Sequence, residues 1–274
     1  MVAIIAACVL LPGLSGGFVF DDKPNIVDNG ALHIKDLSVG TLIYAATSFE
    51  PGNGTRQLAM LSFALDYWRA GLNPQAFKTT NLLIHLLTTL VLALFLRRLL
   101  LTQLPEQRAR AGALILALLW AVHPLQVSSV LYVVQRMQTL VTLFMVLGLW
   151  AYMGMRQAQQ AGQRSWRYGV VLAFCWLLGL ASKEDAILLP AYTLTLELTI
   201  LRFGAASART ARRWQRGYLL AACAAVAAYA LIILPHYWSW GAYPGRDFSS
   251  SERLLTQGRV LVLYLGQILL PLPG

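Results

Sequence analysis

Asp21 and Asp22 follow directly on the apolar run Met1 to Phe20. Two adjacent carboxylates repel, so one is pushed towards a raised pKa while the other, if paired with a cation, stays ionised. Such a group can take a proton from an acceptor hydroxyl, which is general base catalysis; the pair can equally do no more than stop a helix. Arg136, in Tyr132-Val-Val-Gln-Arg-Met137, stands between two apolar stretches close to membrane depth. A cation there needs a polar cavity or an anionic partner. Phosphate suits it, because the guanidinium fork binds phosphate bidentately, although snorkelling to the headgroups would also satisfy it. Ser182-Lys183-Glu184-Asp185 interrupts two more apolar stretches with a tight polar turn. Lys183 can reach a phosphate as a point charge, and Glu184 can orient it or Arg136; a plain charged hairpin is the competing reading. His123 precedes Pro124, which marks a helix end, and fits an interfacial side chain as well as a ligand. His85, in the middle of an apolar window, reads as a helix-to-helix hydrogen bond.

These groups need a bilayer to position them. Apolar residues make up 57% of the chain and charged residues 12%, against roughly a quarter charged in a soluble domain. A spanning helix takes roughly 20 mainly apolar residues. The windows Met1 to Phe20, Phe77 to Leu101, Ala111 to Val122, Leu140 to Met155, Tyr168 to Ala181, Ala186 to Leu201, Tyr218 to Leu234 and Arg259 to Pro273 predict an all-α polytopic membrane bundle of about eight helices. The first window has no basic n-region and no Ala-x-Ala-like cleavage site, so it reads as a retained helix rather than a signal peptide.

Several function classes drop out. Cys8, Cys175 and Cys223 all fall in apolar windows, where a thiol is a small hydrophobe, and neither a disulfide framework nor a metal site is suggested. The net charge of +10 comes from Arg clustered between windows, which is a topology signal and not a nucleic-acid face. No phosphate-cradling Gly loop, His-Glu-x-x-His or Gly-x-Ser-x-Gly occurs, so soluble nucleotide chemistry has no support and no cofactor is called for. Asn53-Gly-Thr55 fits a glycosylation sequon, a weak pattern.

Short loops rich in Lys and Arg face the cytoplasm. Placing Met1 inside puts Arg97, Arg98, Arg108 and Arg110, then Arg156, Arg164 and Arg167, then Arg202, Arg209, Arg212, Arg213 and Arg216 on that side. The outer segments then hold Asp21, Asp22, Asp28, Asp36, Glu50, Asp66, Glu184, Asp185, Asp247 and Glu252, leaving Glu106 and Glu197 towards the inside. Residues 21–75 form the first outer loop, too polar to span and too apolar for a free linker. Within it Leu37 to Phe49 and Arg56 to Ala70 read as short interfacial helices, the second with Leu58, Leu61, Leu65 and Trp68 at helical spacing for the headgroup boundary. Glu50-Pro-Gly-Asn-Gly-Thr55 between them is a turn by composition.

Taken in order, Asp21-Asp22, Arg56-Gln-Leu-Ala-Met-Leu-Ser-Phe-Ala-Leu-Asp-Tyr67, Gly71-Leu-Asn-Pro-Gln-Ala-Phe77, Asn81-Leu-Leu-Ile-His85, Ala121-Val-His-Pro124, Gln135-Arg-Met137, Ser182-Lys-Glu184 and Tyr264-Leu-Gly-Gln-Ile-Leu-Leu-Pro271 form a series. It resembles the membrane half of the transmembrane and tetratricopeptide-repeat proteins, whose characterised eukaryotic members are O-mannosyltransferases with a GT-C fold. The resemblance covers nearly the whole chain, 1–274, as one GT-C-like domain. It implies transfer of a sugar, such as mannose, from a polyprenyl-phosphate donor in the membrane lipids to a protein hydroxyl outside the cytoplasm. Asp21 or Asp22 would then be the base, Arg136 and Lys183 would hold the donor phosphate with support from Glu184, and His123 and Gln135 would line the same cavity. A lipid phosphate leaving group needs cations at membrane depth to offset its developing charge, so the implied roles agree with the residue types.

The Gln-Arg-Met variant suggests a bacterial branch, with the protein in the inner membrane and the site periplasmic. The chain carries none of the helical repeats of about 34 residues that mark tetratricopeptide arrays, and it stops as the last window ends, which reads as a fragment or a divergent form. A non-catalytic membrane anchor or assembly module is the alternative. A transporter is disfavoured, since neither an internal repeat nor charges in discontinuous helices at midplane are visible.

Overall fold

A computed structural model describes residues 1–49, 55–235 and 248–270, and these are helical with no strand among them. Residues 50–54 of the predicted turn, with the sequon's Asn53, together with Asp247 and the end of the last window from Pro271, lie outside the described residues. The chain divides into two compact units, 1–202 and 203–274.

In the first unit α1 (Val2–Leu10) runs into a 3-10 turn, Leu11–Ser15, where Pro12 and Gly13 break the helix. Residues 21–75 carry α2 (Val39–Ala46), capped by Ser38, and α3 (Gln57–Ala70), close to the two helices expected there. Ile26, Leu32, Phe49, Met60, Phe63 and Ala64 pack with Phe77, Val133, Val134 and Met137. The loop is therefore a folded cap seated on the ends of the long helices, and Leu65 and Trp68 remain on its exposed side.

Two long helices form the frame. In α4 (Pro74–Leu100), Asn73 caps the start and Pro74 occupies a first-turn position where its missing N–H costs nothing. Its Leu83, Leu87, Leu90 and Leu94 face outward. Its buried side carries a polar stripe at helical spacing, Lys78, Asn81, His85 and Thr88, as expected when polar groups in a span turn inward. After α5 (Glu106–Ala121) the chain bends by 67° at Pro124 into α6 (Leu125–Leu131). A 3-10 turn, Val133–Gln135, then leads into α7 (Arg136–Gln160). Ala109, Ala113, Ala117 and Ala121 make a buried small-residue seam along α5, which lets it approach α4 closely. The chain returns through α8 (Trp166–Leu180), the 3-10 turn Glu184–Leu188, α9 (Leu189–Leu196) and a π-helical turn, Glu197–Leu201.

Contacts fix the direction of each helix. Asn81 at the start of α4 meets Arg136 at the start of α7, while Arg98 near the end of α4 donates to the Trp150 carbonyl in the far half of α7 at 2.9 Å. α4 and α7 are therefore parallel, with α5 and α8 returning against them. One end of this unit gathers Asp21, Asp22, Asp66 and Glu184. The other gathers Arg97 with Glu106, Arg98, and a buried Arg156, Glu197 and Tyr152 cluster in which Arg156 Nε lies 2.5 Å from Glu197.

In the second unit α10 (Ala208–Ala228) is capped by Ser207 and passes into a π-helical turn, Tyr229–Ile233. α11 (Ser250–Leu269) opens on a capping box formed by Ser249 and Glu252. Over the described residues three helices, Pro74–Leu100, Val133–Gln160 and Ala208–Ile232, are long and apolar enough to cross a membrane, or four if the bent pair α5 and α6 is one span. These make the chain a membrane protein. The windows at Met1 and Ala186 fall on helix broken by Pro12 and Pro190, and Val2–Ser15 and Trp166–Leu180 are apolar but short; eight full-length spans are not present by this measure.

Candidate functional site

The acidic end of the first unit is organised around the irregular chain between α6 and α7. Tyr132 is extended, which interrupts the helix; the Tyr132 carbonyl accepts from Gln135 N and the Val133 carbonyl from Arg136 N in the 3-10 turn, and the carbonyls of Val130, Tyr132 and Val133 also face a side-chain donor. Asn81 of α4 is that donor. Its amide nitrogen lies 3.1 Å from Val130 O and 3.2 Å from Val133 O, with Tyr132 O at 3.5 Å, and its oxygen accepts from Arg136 Nε at 2.7 Å.

Asp22 holds the same junction from the opposite direction. Its carboxylate accepts from Val134 N at 2.7 Å and from Val19 N at 3.0 Å, and the residue is fully buried. Burial pushes its carboxyl above the usual 3.8, against the pull of those N–H groups, that of Val133 and the nearby Lys78 charge. Lys78 in turn donates to Gly16 O at 2.8 Å, fixing the chain that leads to the aspartates. Asp21 is placed differently. It is exposed, and its backbone N–H donates to the Tyr132 hydroxyl at 2.8 Å. The adjacent carboxylates are thus split, one built into the junction and one facing outward beside it.

Arg136 is enclosed. Its guanidinium donates to Asn81, to Ser62 O at 3.0 Å and to Phe77 O at 2.8 Å, and stacks over the Phe63 ring at 4.6 Å. Its acid is Asp66 of α3, not Glu184: the Nη2 to Oδ2 distance is 2.5 Å, an ion pair set off hydrogen-bond alignment. Asp66 also accepts from Arg69 and Thr80 through Oδ1. With the guanidinium surrounded by protein acceptors and both side chains out of solvent, this pair clamps the outer cap to the ends of α4 and α7.

The Ser182 to Asp185 turn lies at the same end. Leu58 N donates to Ala181 O at 2.8 Å, tying α3 to the end of α8. Lys183 Nζ donates to Gln138 Oε1 at 2.7 Å and lies 3.4 Å from Asp185. Glu184 pairs with Arg56, whose hydrogen bond holds its carboxyl below the usual 4.5. Arg56 stands at the head of α3 with a left-handed backbone, φ 59°, and its guanidinium covers the Phe49 ring at 4.2 Å. Val134 at the Asp22 contact and Gln138 at the Lys183 contact are four positions apart, roughly 6 Å along a helix axis. Asp22 and Lys183 are therefore bonded at the same end of α7.

His123 caps the start of α6, its Nδ1 accepting from Leu125 N at 3.3 Å, and Gln135 is half-buried in the 3-10 turn. Neither lines the polar cavity between α4 and α7, whose wall includes Gln138. His85 joins α4 to α5 through Ala121 O at 2.9 Å, the helix-to-helix bond expected of it. Residue types alone missed Asp66, Lys78, Asn81, Arg56 and Gln138. For Lys78 and Asn81 the signal was present, since with His85 and Thr88 they recur at helical spacing inside an apolar window.

Similarity to known proteins runs in one direction. The chain is 31% identical to protein O-mannosyl-transferase TMTC3 of Mus musculus over 157 residues, 56% of the chain and 16% of that protein. It is 29% identical to protein O-mannosyl-transferase Tmtc1 of Drosophila melanogaster over 67% of the chain and 20% of that protein. With protein O-mannosyl-transferase TMTC4 of Homo sapiens it shares 28% identity over 68% of the chain and 27% of that protein. The chain thus spans less than a third of the length of these relatives, and the similarity supports the family named from the sequence motifs. No protein-family model matches the chain, and no solved structure matches it.

Proposed function

We propose that this chain is the membrane part of a glycosyltransferase that moves a sugar from a polyprenyl-phosphate donor to a protein hydroxyl at the acidic end of the first unit. The observation that supports the reading is the split of the aspartate pair, an exposed Asp21 beside a buried Asp22 that is bonded to the turn before α7, with Lys183 bonded to the first turn of the same helix. The similarity to protein O-mannosyl-transferases supports mannose as the sugar and protein as the acceptor. The acidic end is extracytoplasmic and the Arg-rich end cytoplasmic, following the rule for short basic loops. The shorter apolar helices complete a GT-C-like bundle around the long ones.

In the transfer step the acceptor oxygen forms a bond to the anomeric carbon while the bond from that carbon to the phosphate oxygen breaks. The electron pair leaves on the phosphate, and Asp21 takes the hydroxyl proton as general base. Lys183, one-quarter exposed, meets the phosphate as charge builds on it, with the Arg56 and Glu184 pair beside it. Asp22, Asn81 and Arg136 keep the junction in place and act through position.

A second reading is a membrane anchor without catalysis, favoured by the enclosure of Asp22 and Arg136 in protein contacts. One substitution separates the two. Asp21→Asn keeps size and exposure, so the protein should insert and melt as wild type while transfer from polyprenyl phosphate mannose to an acceptor peptide is lost. Unchanged transfer by Asp21→Asn removes Asp21 as the base; wild-type protein without transfer favours the anchor.

A further inference from the structure

Between α4, α5, α6 and α7, on the inner side of Gln138, lies a cavity of about 180 Å³. Polar walls inside a membrane bundle are expensive and mark function, and these walls have a definite chemistry. No carboxylate, ammonium or guanidinium lines the cavity. The hydroxyls of Thr88, Ser129, Thr139 and Thr142 all donate to carbonyls of their own helices, at 2.8, 3.5, 3.1 and 2.7 Å, so their oxygens offer lone pairs to an occupant. Among the described residues the carboxamide of Gln126, the Nε2 amide of Gln138 and the indole N–H of Trp120 have no protein partner. His85 and Trp120, both on the wall, stack with centroids 4.9 Å apart and 26° between planes, which gives the cavity an aromatic side.

This combination selects its guest. The free amide and indole donors are matched by hydroxyl acceptors and no cation lines the cavity, which suits a neutral guest that both donates and accepts better than an anion. A pyranose ring matches such a wall: several hydroxyls around its edge that donate and accept, and a C–H face that can lie on an aromatic ring. The size agrees. At about 30 Å³ per water the space equals about six waters, below the roughly 300 Å³ of pockets for drug-sized ligands, and so of monosaccharide scale. Lys183 reaches the wall at its rim, bonded to Gln138 at 2.7 Å.

We propose that this cavity seats the neutral sugar ring of a glycosyl phosphate lipid, with the stacked His85 and Trp120 beneath the ring and Gln126 and Gln138 at its hydroxyls. The inference rests on the donor reading given above and adds to it where the sugar sits and what reads it. Specificity for the sugar then lies in α4 to α7, and attachment of the lipid phosphate lies at Lys183 on the turn after α8.

The test compares two probes on the full chain in lipid nanodiscs: a short-chain polyprenyl phosphate mannose and the same polyprenyl phosphate without the sugar. Thr142→Leu fills the cavity with apolar bulk, Gln126→Leu removes hydrogen-bonding capacity at similar volume, and Thr142→Ser keeps the hydroxyl as a control for folding. The expected result is a loss of ten-fold or more in affinity for the mannosyl lipid in both Leu variants, affinity for the sugarless lipid within two-fold of wild type, and near wild-type behaviour of Thr142→Ser. Lys183→Met should weaken both probes alike. If the Leu variants bind the mannosyl lipid as wild type does while Lys183→Met weakens it, the cavity holds water or an acceptor side chain and the inference falls, with the donor reading intact. Equal weakening of both probes by Thr142→Leu overturns it too, since the cavity then does not discriminate the sugar. Wild-type protein that binds neither probe rejects the donor reading and this inference with it.

Discussion

In Arg136→Met the apolar stem of the side chain is kept and the guanidinium is lost, so Asp66, Asn81 and the carbonyls of Ser62 and Phe77 lose a donor together. Breaking a buried pair from one side typically costs about 3–5 kcal/mol, because the remaining charge stays in a site built to pair it. Here Asp66 keeps Arg69 and Thr80, which places the expected loss at the lower end, about 3 kcal/mol. For a unit of this size about 2–4 °C is lost per kcal/mol, so the midpoint should fall on the order of 10 °C in thermal unfolding followed by tryptophan fluorescence in detergent. The decisive companion is Asp66→Leu with Arg136→Met. Removing both charges of a buried pair is often neutral or stabilising, so the double variant should melt no lower than Arg136→Met alone. Additive losses in the double variant would refute the coupling. A different failure is equally informative: if Arg136→Met melts as wild type but no longer binds polyprenyl phosphate mannose, Arg136 is a donor ligand and not a clamp.

Asp22 should leave a pH signature. Its folded-state pKa lies above the unfolded 3.8, so the folded state binds more protons in the interval between the two values and stability falls as pH rises through it. Asp22→Asn, which keeps an oxygen for the Val134 N–H, should flatten that part of a plot of melting temperature against pH, and an unchanged slope would count against the burial argument. At the Arg-rich end, Gly154 faces the Tyr168 ring, where an added Cβ would meet Cε1 at 2.6 Å and crowd Arg98. Gly154→Ala should cost about 1–3 kcal/mol by overpacking, seen as a lower melting midpoint, with mannosyl-lipid affinity retained below that midpoint because the strain lies far from Lys183. Asn81→Ala removes the only side chain that serves both the junction carbonyls and Arg136. The start of α7 should then gain amide hydrogen exchange at Val133 to Met137 relative to α4, and equal protection in both proteins would show that the junction holds itself.

Helix, membrane class and the pair of short helices within residues 21–75 were legible because each depends on local composition and period. The role of His85 was legible for the same reason, since a histidine amid leucines has few partners except a neighbouring backbone. Span lengths were not, because hydropathy passes smoothly over Pro12 and Pro190 while the backbone does not. The site was half legible. Asp21, Asp22, Lys183 and Glu184 were singled out by standing between apolar stretches, and they do gather at one end. Their partners were hidden because pairing over long separations is set by packing: Arg136 is matched by Asp66 from α3 and Glu184 by Arg56, neither of which any spacing in the sequence connects. Composition could not foresee that one of two adjacent aspartates would become a structural cap and the other remain exposed.

The two enclosed arginines of α7 have a consequence for depth. Arg136 and Arg156 are each fixed to a carboxylate, Asp66 and Glu197, and the twenty residues between them rise about 30 Å, close to the thickness of a bilayer's hydrocarbon layer. With both rungs fastened, α7 behaves as a ruler of set length that cannot lean against its neighbours to absorb a mismatch. In a thicker or thinner membrane the lipid must stretch or pinch around it, so the protein's tolerance for bilayer thickness is written into the spacing of two buried charges.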